Sequence, residues 1–335
     1  MMMTRYRTAL PMRRHGALAR LANIALIGAA FVAGAAHAQG DKPIRFILPV
    51  ATASGVDTIT RAASPALTKA LGGPVVVDNQ AGAGGLVGTA ALIKSPPDGS
   101  TLSVVSNNHV IYPSVLKSVP FDPIADITPI AVIGSTPIVL VVNPKVPAKN
   151  AQELIALMKA KPDELNYGSS GNGTILHLAA AMFVDQAGVK AKHIPYKGVG
   201  PMLTDLLGGQ VEFATASLPS VQQHIKSGTL RAIGVGAANR LAAAPEIPTM
   251  VEQGMPNYLV EGWFAVIGPP KLPAADVKRI NAAFVTAFAT PEVREAMEKQ
   301  GNTINISTPE YAVKFFPAEL AKYAAIVKKI GLEPQ

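Results

Sequence analysis

The segment Tyr167-Gly168-Ser169-Ser170-Gly171-Asn172-Gly173-Thr174 concentrates small hydrogen-bonding residues and offers no bulk. It falls where a strand-like stretch gives way to a helix beginning near Leu176. Main-chain amides and hydroxyls arranged this way suit a carboxylate or a phosphate. A second such place is Val50-Ala51-Thr52-Ala53-Ser54-Gly55-Val56-Asp57, between the first strand and the first helix. Ser54, with Asp57 three residues on, resembles a capping box, and Gly55 loosens the backbone. That loop reads equally as an ordinary capped turn or as an anion site. Ser106-Asn107-Asn108-His109 closes a third strand and could add the side-chain amides of Asn107 and Asn108 to the same cleft.

Enzyme signals fail on inspection. Gly82-Ala83-Gly84-Gly85-Leu86-Val87-Gly88 follows a strand, but Val87 stands where a dinucleotide loop needs its third glycine. Gly168-Ser169-Ser170-Gly171 is not the Gly-Xaa-Ser-Xaa-Gly elbow of hydrolases. His109, His177, His193 and His224 are scattered without metal-ligand spacing, so each reads as structural or surface. No base stands beside a nucleophile in any recognisable pattern. The expectation is a binding protein, not an enzyme, with no cofactor and no metal.

The elements that must position these loops alternate. Ile44–Leu48, Val75–Val77, Thr101–Val105, Pro137–Val142, Val211–Phe213, Leu230–Val235 and Phe264–Ile267 read as strands. Helices are expected from Ile59 to about Ala70 and over Ala151–Ala160, Leu176–Ala187, Met202–Leu207, Ala274–Ala289 and Pro309–Ile330. Near-continuous apolar strands alternating with helices predict an α/β protein with mainly parallel sheets. The stretches Pro137–Asn143 and Trp263–Gly268 each exit into prolines and are expected to be crossovers between two lobes. In such sheets ligands sit at the carboxyl ends of strands.

The N-terminus sets the compartment. Arg5, Arg7, Arg13, Arg14 and Arg20 precede an uncharged run from Leu21 to Ala36, and Ala36-His37-Ala38 offers small residues for cleavage. Residues 1–38 read as a secretory signal peptide cut before Gln39, since the run is shorter than the ~20 residues that span a bilayer. Removing five arginines from thirty basic residues leaves 25 against 22 acids, a net of +3. With no basic run interleaved with aromatics, nucleic acid is excluded as a partner. The chain has no cysteine, so an exported product has neither a disulfide nor a lipidated thiol and is expected free of the membrane.

Several motifs together resemble one family. Lys42-Pro43-Ile44-Arg45, Val75 through Gly85, Ser95-Pro96-Pro97-Asp98-Gly99, Leu165 through Thr174, Pro195-Tyr196-Lys197-Gly198 and Asp205 through Gln210 look like the Bug-type solute receptors of tripartite tricarboxylate transporters. The resemblance spans the chain after its leader. It implies a two-lobed periplasmic binding protein of the Venus-flytrap type, with residues 41–142 plus 263–335 as lobe 1 and 143–262 as lobe 2. It further implies a monomer delivering a small carboxylate to transporter membrane subunits, or a sensing receptor on the same fold. Carried over to this chain, the ligand-binding residues are Thr52, Ala53, Ser54, Gly55, Asp57, Asn107, Asn108, Ser169, Ser170, Gly171, Asn172, Gly173, Thr174 and Ser217. Relatives usually read Pro-Pro-Gly-Gly-Xaa-Xaa-Asp in the first loop. Here Asp57 matches, but Ala51-Thr52-Ala53-Ser54 replaces the proline-glycine part. Relatives often carry Asp-Asn after the strand at Val211–Phe213. Ala214-Thr215-Ala216-Ser217 stands there instead, which implies a ligand without a cationic amine at that end.

Overall fold

A computed structural model describes residues 42–334, so the expected leader lies outside the described residues. From Pro43 onward the chain packs as one unit. Its plan is two sheets sharing one long strand. Ile44–Leu48 (β1) pairs in parallel with Val75–Asn79 (β2) on one side and Thr101–Ser106 (β3) on the other. Thr128–Val142 (β4) runs for 15 residues. Its first part, Thr128 to Pro137, pairs antiparallel with Glu261–Gly268 (β9), which in turn pairs antiparallel with β3. Its second part, Ile138 to Val142, enters the other sheet between Phe213–Ser217 (β7) and Arg231–Val235 (β8), both antiparallel to it. Asn166–Ser169 (β5) and Lys192–Pro195 (β6) extend that sheet in parallel from β7. Thr303–Ile304 (β10) pairs with β4 at Gly134 and Ser135.

The helices form because their apolar residues recur on one face and their ends are capped. Gly55–Leu71 (α1) buries Val56, Ile59, Ala63 and Leu67 and is capped by the Ser54 hydroxyl. Leu86–Ile93 (α2) and Asn108–Val115 (α3) follow. Ala151–Ala160 (α4), Ile175–Ala187 (α5), Val199–Gly208 (α6) and Leu218–Lys226 (α7) surround the second sheet. Ala274–Phe288 (α8), Pro291–Lys299 (α9) and Pro309–Lys329 (α10) complete the chain. One apolar core joins α1, α8 and α9 to a face of the first sheet through Phe46, Ile59, Leu67, Phe264 and Phe284. A larger one runs through the second sheet and reaches α3 and α10 through Val110, Val141, Phe183, Phe213 and Phe316.

The architecture is α/β as expected, but the sheets are mixed instead of mainly parallel. The parallel pairs lie at the outer ends, while β4 and β9 meet all their neighbours antiparallel. In the first sheet β9 lies between β3 and β4 and opposes both, so β4 runs the same way as β3, and it comes to oppose β7 only on entering the second sheet. Only the second part of β4 was legible, because Pro129, Gly134 and Pro137 interrupt the first. The pairing shifts register between Pro129 and Ala131 and again between Val132 and Gly134, where bulges accommodate residues that regular ladders exclude. The strand expected at Val211–Phe213 lies at Phe213–Ser217, shifted toward the cleft. β5 and β6 are four residues each and polar, too short for a periodic signal. Pro113 lies inside α3 and Pro219 at the start of α7, which hid both helices.

At Gly134 a Cβ would run into the Thr303 carbonyl. Gly134→Ala is expected to lower the unfolding free energy by about 1–3 kcal/mol, checked by urea denaturation followed by circular dichroism.

Candidate functional site

The first loop is held by its own polar groups. The Ser54 hydroxyl accepts from the Asp57 amide at 3.2 Å, and Asp57 Oδ2 accepts from the Ala53 amide at 3.1 Å. The other carboxylate oxygen of Asp57 accepts from Arg61 Nε at 2.9 Å and Asn79 Nδ2 at 3.0 Å. Asp57 is buried, and its charge fixes the loop from behind. Ser220 on α7 donates to the Ala53 carbonyl at 3.0 Å and shares a hydrogen bond with Ser217 at 2.8 Å. The loop after β1 is thereby tied to the start of α7.

The second loop, between β5 and α5, is also internally bonded. Ser169 donates to the Gly171 carbonyl and accepts from the Gly171 amide. Thr174 caps α5 by accepting from the His177 amide and donates to the Gly171 carbonyl at 2.9 Å. Ser170 donates to Thr174 at 3.1 Å. Gly173 sits at φ 71°, and a Cβ there would strike Val115 of α3, so the close approach of loop and helix needs glycine. Asn108, at the start of α3, accepts from the Ile175 amide at 2.8 Å. Asn107 is committed elsewhere. It accepts from the Trp263 amide at 2.8 Å and donates to the Glu261 carbonyl and to the Tyr323 hydroxyl. Both asparagines anticipated as amide donors therefore spend hydrogen-bonding capacity holding elements together.

Behind this loop lies a stack that spacing did not reveal. The rings of His177 and His193 lie 3.7 Å apart and nearly parallel, and Tyr167 stacks on His193 at 4.9 Å. His177 Nδ1 accepts from the Gly173 amide at 3.1 Å, and His193 Nε2 lies 2.6 Å from Ser169 Oγ. Burial pushes His177 down to about 4. Burial, with His177 alongside, pushes His193 down to about 3. Burial also raises Tyr167 to about 12. Both imidazoles are neutral hydrogen-bonding groups behind the loop. Sixteen residues separate them in sequence, and only the parallel pairing of β5 with β6, with Tyr167 opposite His193, brings the three rings together. Among the described residues, no cluster of three or more His, Asp or Glu side chains could hold a metal.

These elements enclose a cavity of about 690 Å³. Of the residues singled out from sequence, Ser54, Gly55, Asn107, Asn108, Ser170, Gly171, Asn172, Thr174 and Ser217 line it. Thr52, Ala53, Asp57, Ser169 and Gly173 do not; Ala53, Asp57, Ser169 and Gly173 instead take part in the bonding and packing that shape the two loops. Lys197 lines it, and so do residues not anticipated, including Ala81 through Gly84, Leu116, Thr136, Ile138, Gly198, Val199, Trp263 and Phe264. The glycine segment rejected as a nucleotide loop is thus a wall of the cavity. Thr136 is buried with its hydroxyl unpartnered.

Five helices begin at this cavity. The starts of α1 at Ser54–Val56, α3 at Asn107–Asn108, α5 at Thr174–Leu176, α6 at Gly198–Val199 and α7 at Ser217 all contribute to its lining. Each brings the positive end of a helix dipole and amides that the helix leaves unpaired. The lining contains no Asp, Glu, Arg or His, and its one ionisable cation is Lys197. The arrangement can hold an anion.

The fold is that of a two-lobed periplasmic binding protein with a ligand cleft. BugD, a periplasmic binding protein, superposes with a TM-score of 0.84 at 29% identity, over 88% of this chain and 99% of that one. Residues 59–332 match the family described as tripartite tricarboxylate transporter family receptor, and the chain belongs to that family. Protein BugT of Bordetella pertussis is 36% identical over 292 residues, 87% of this chain and 90% of that protein. A protein of R. palustris solved with adipate is 27% identical with a TM-score of 0.84, covering 88% of this chain and 98% of that one.

The neutral histidines make stability fall in acid. Burial lowers His109 to about 4, as it does His177 and, further, His193, whereas an unfolded histidine takes a proton near 6.5. The unfolded chain therefore binds more protons than the folded one below that value. The melting temperature is expected to be level above pH 6.5 and to fall steadily toward pH 4. His177→Gln and His193→Gln should each flatten part of that slope, measured by calorimetry across this range.

Proposed function

We propose that this chain is an exported, monomeric receptor that captures a small carboxylate and passes it to the membrane subunits of a tripartite tricarboxylate-type transporter. The observation that carries the reading is the convergence of five helix N-termini on a cavity without an acidic side chain. A carboxylate entering there meets aligned amides, dipole ends and Lys197, and no like charge opposes it. The relative solved with adipate supports the carboxylate class, and membership of the receptor family supports delivery to a transporter. Among the described residues no helix is long and apolar enough to cross a membrane, which fits a receptor working beside a separate permease.

Capture works by contact with both halves. The first loop and α1 belong to the side of the first sheet, and α5, α6 and α7 to the second. A ligand touching both stabilises the closed form by its extra affinity for that form. In this reading the lobes are those expected from the sequence, 41–142 with 263–335 and 143–262, and β4 runs from the first sheet into the second near their boundary.

Trp263, the only tryptophan in the sequence, lines the cavity. Its emission is expected to change on titration with carboxylates and to stay constant with the corresponding amides. A response to amides equal to that with acids would refute the carboxylate reading. Ser217→Asp places a good capping residue at the start of α7, so the helix should persist while a negative charge enters the cavity. At an effective dielectric near 20 a charge a few ångströms away costs several kcal/mol. Carboxylate affinity should therefore fall at least about tenfold, read by the same titration.

A further inference from the structure

We propose that the carboxylate taken by this cavity is carried on an apolar body, alkyl or aryl, and bears no amine. The inference rests on the carboxylate reading and narrows it. Three observations carry it.

The first is room: about 690 Å³ lies well within the range that encloses drug-sized ligands. The second is the wall facing the helix N-termini. Leu116, Ile138 and the neighbouring Trp263 and Phe264 of β9 present hydrocarbon to this space, and Leu176 and Val199 add theirs from the first turns of α5 and α6. The third is how few polar groups remain for a ligand. Asn107 holds Trp263, Ser217 is paired with Ser220 and Thr174 is bonded within its own loop, while Asn108 gives its carbonyl oxygen to Ile175, which leaves its Nδ2 amide and the Ser106 hydroxyl at the rim where the helices begin. On the wall itself, Thr136 keeps its hydroxyl buried and out of a ligand's reach.

A compact hydroxy-acid would fill little of this volume and would leave its hydroxyls against hydrocarbon, where an unpaired polar group is costly. An ammonium would find no carboxylate in the lining, and the helix dipoles oppose it. A hydrocarbon chain or ring behind the carboxylate fills the space and removes apolar surface from water.

The test is a titration of the purified chain, following Trp263 emission and the heat of binding, with two series of acids. Acetate, butyrate and hexanoate differ only in methylenes. Malate and adipate carry the same charge and differ in their apolar middle. Affinity should rise about fourfold for each buried methylene, and adipate should bind at least about tenfold tighter than malate. Aspartate should not bind.

A flat series from acetate to hexanoate, or malate binding tighter than adipate, overturns this inference and leaves the carboxylate reading standing. Hexanamide binding as well as hexanoate overturns the carboxylate reading, and the inference falls with it. Silence with every acid overturns both. Leu116 is only half-buried, so Leu116→Ser should fold. It should cost hexanoate several-fold more affinity than acetate. An equal loss for both would remove the apolar wall from the argument.

Discussion

The site depends on β4, the strand that belongs to two sheets. Its first part is laced to β9 and its second to β7 and β8, so the distance between the two sets of loops is set by one continuous backbone. Because β1, β3, β5 and β7 reach the cleft with their carboxyl ends, the helices that follow must begin there. Convergence of helix N-termini is a consequence of topology before any side chain is considered. A protein with this strand arrangement has a positive cleft even when its lining carries a single lysine.

Side chains then decide how firmly the loops present that field. Nearly every polar residue near the cleft is paired with a neighbour in the chain. Asp57 bonds Ala53, Arg61 and Asn79; Asn108 bonds Ile175; His177 bonds Gly173; and Asn107 ties β3 to β9 and α10. Such pre-organisation removes part of the ordering cost that binding otherwise carries. The neutral imidazole of His177 is suited to this work, since Nδ1 can accept an amide proton only while it is unprotonated. The same burial that keeps it neutral makes the fold acid-sensitive.

Legibility from sequence followed signal length. β1, β2, β3 and α10 carried long apolar patterns or clear punctuation and lie where expected, within two residues at their ends. The Gly168–Thr174 segment was conspicuous because three glycines and a threonine cap precede an apolar helix, a local signal. Leu116, Ile138 and Trp263 form one wall although nearly 150 residues separate the first from the last, and no local pattern reports such a meeting. The His177–His193 stack was hidden likewise, since strand pairing creates it. Asp57 was legible as a capping residue and not as the anchor of Arg61 and Asn79, which lie on α1 and β2.

The first loop holds a strained residue in place by contacts from both sides of the cleft. Ala53 has a φ of 63°, in the left-handed region, a conformation that costs an alanine roughly 1–2 kcal/mol. Two contacts offset this. Asp57 accepts the Ala53 amide, and Ser220 donates to the Ala53 carbonyl. A buried charge-assisted bond on one side and a hydroxyl bond on the other, each worth on the order of 1 kcal/mol or more, are enough to hold the residue there. The second contact comes from the opposite side of the cleft, so the strained residue is held by the element that must approach when the cleft closes. Glycine would keep the turn at lower cost, but the turn would then depend less on that approach. Ala53 therefore couples the conformation of the loop to the relation between the two halves.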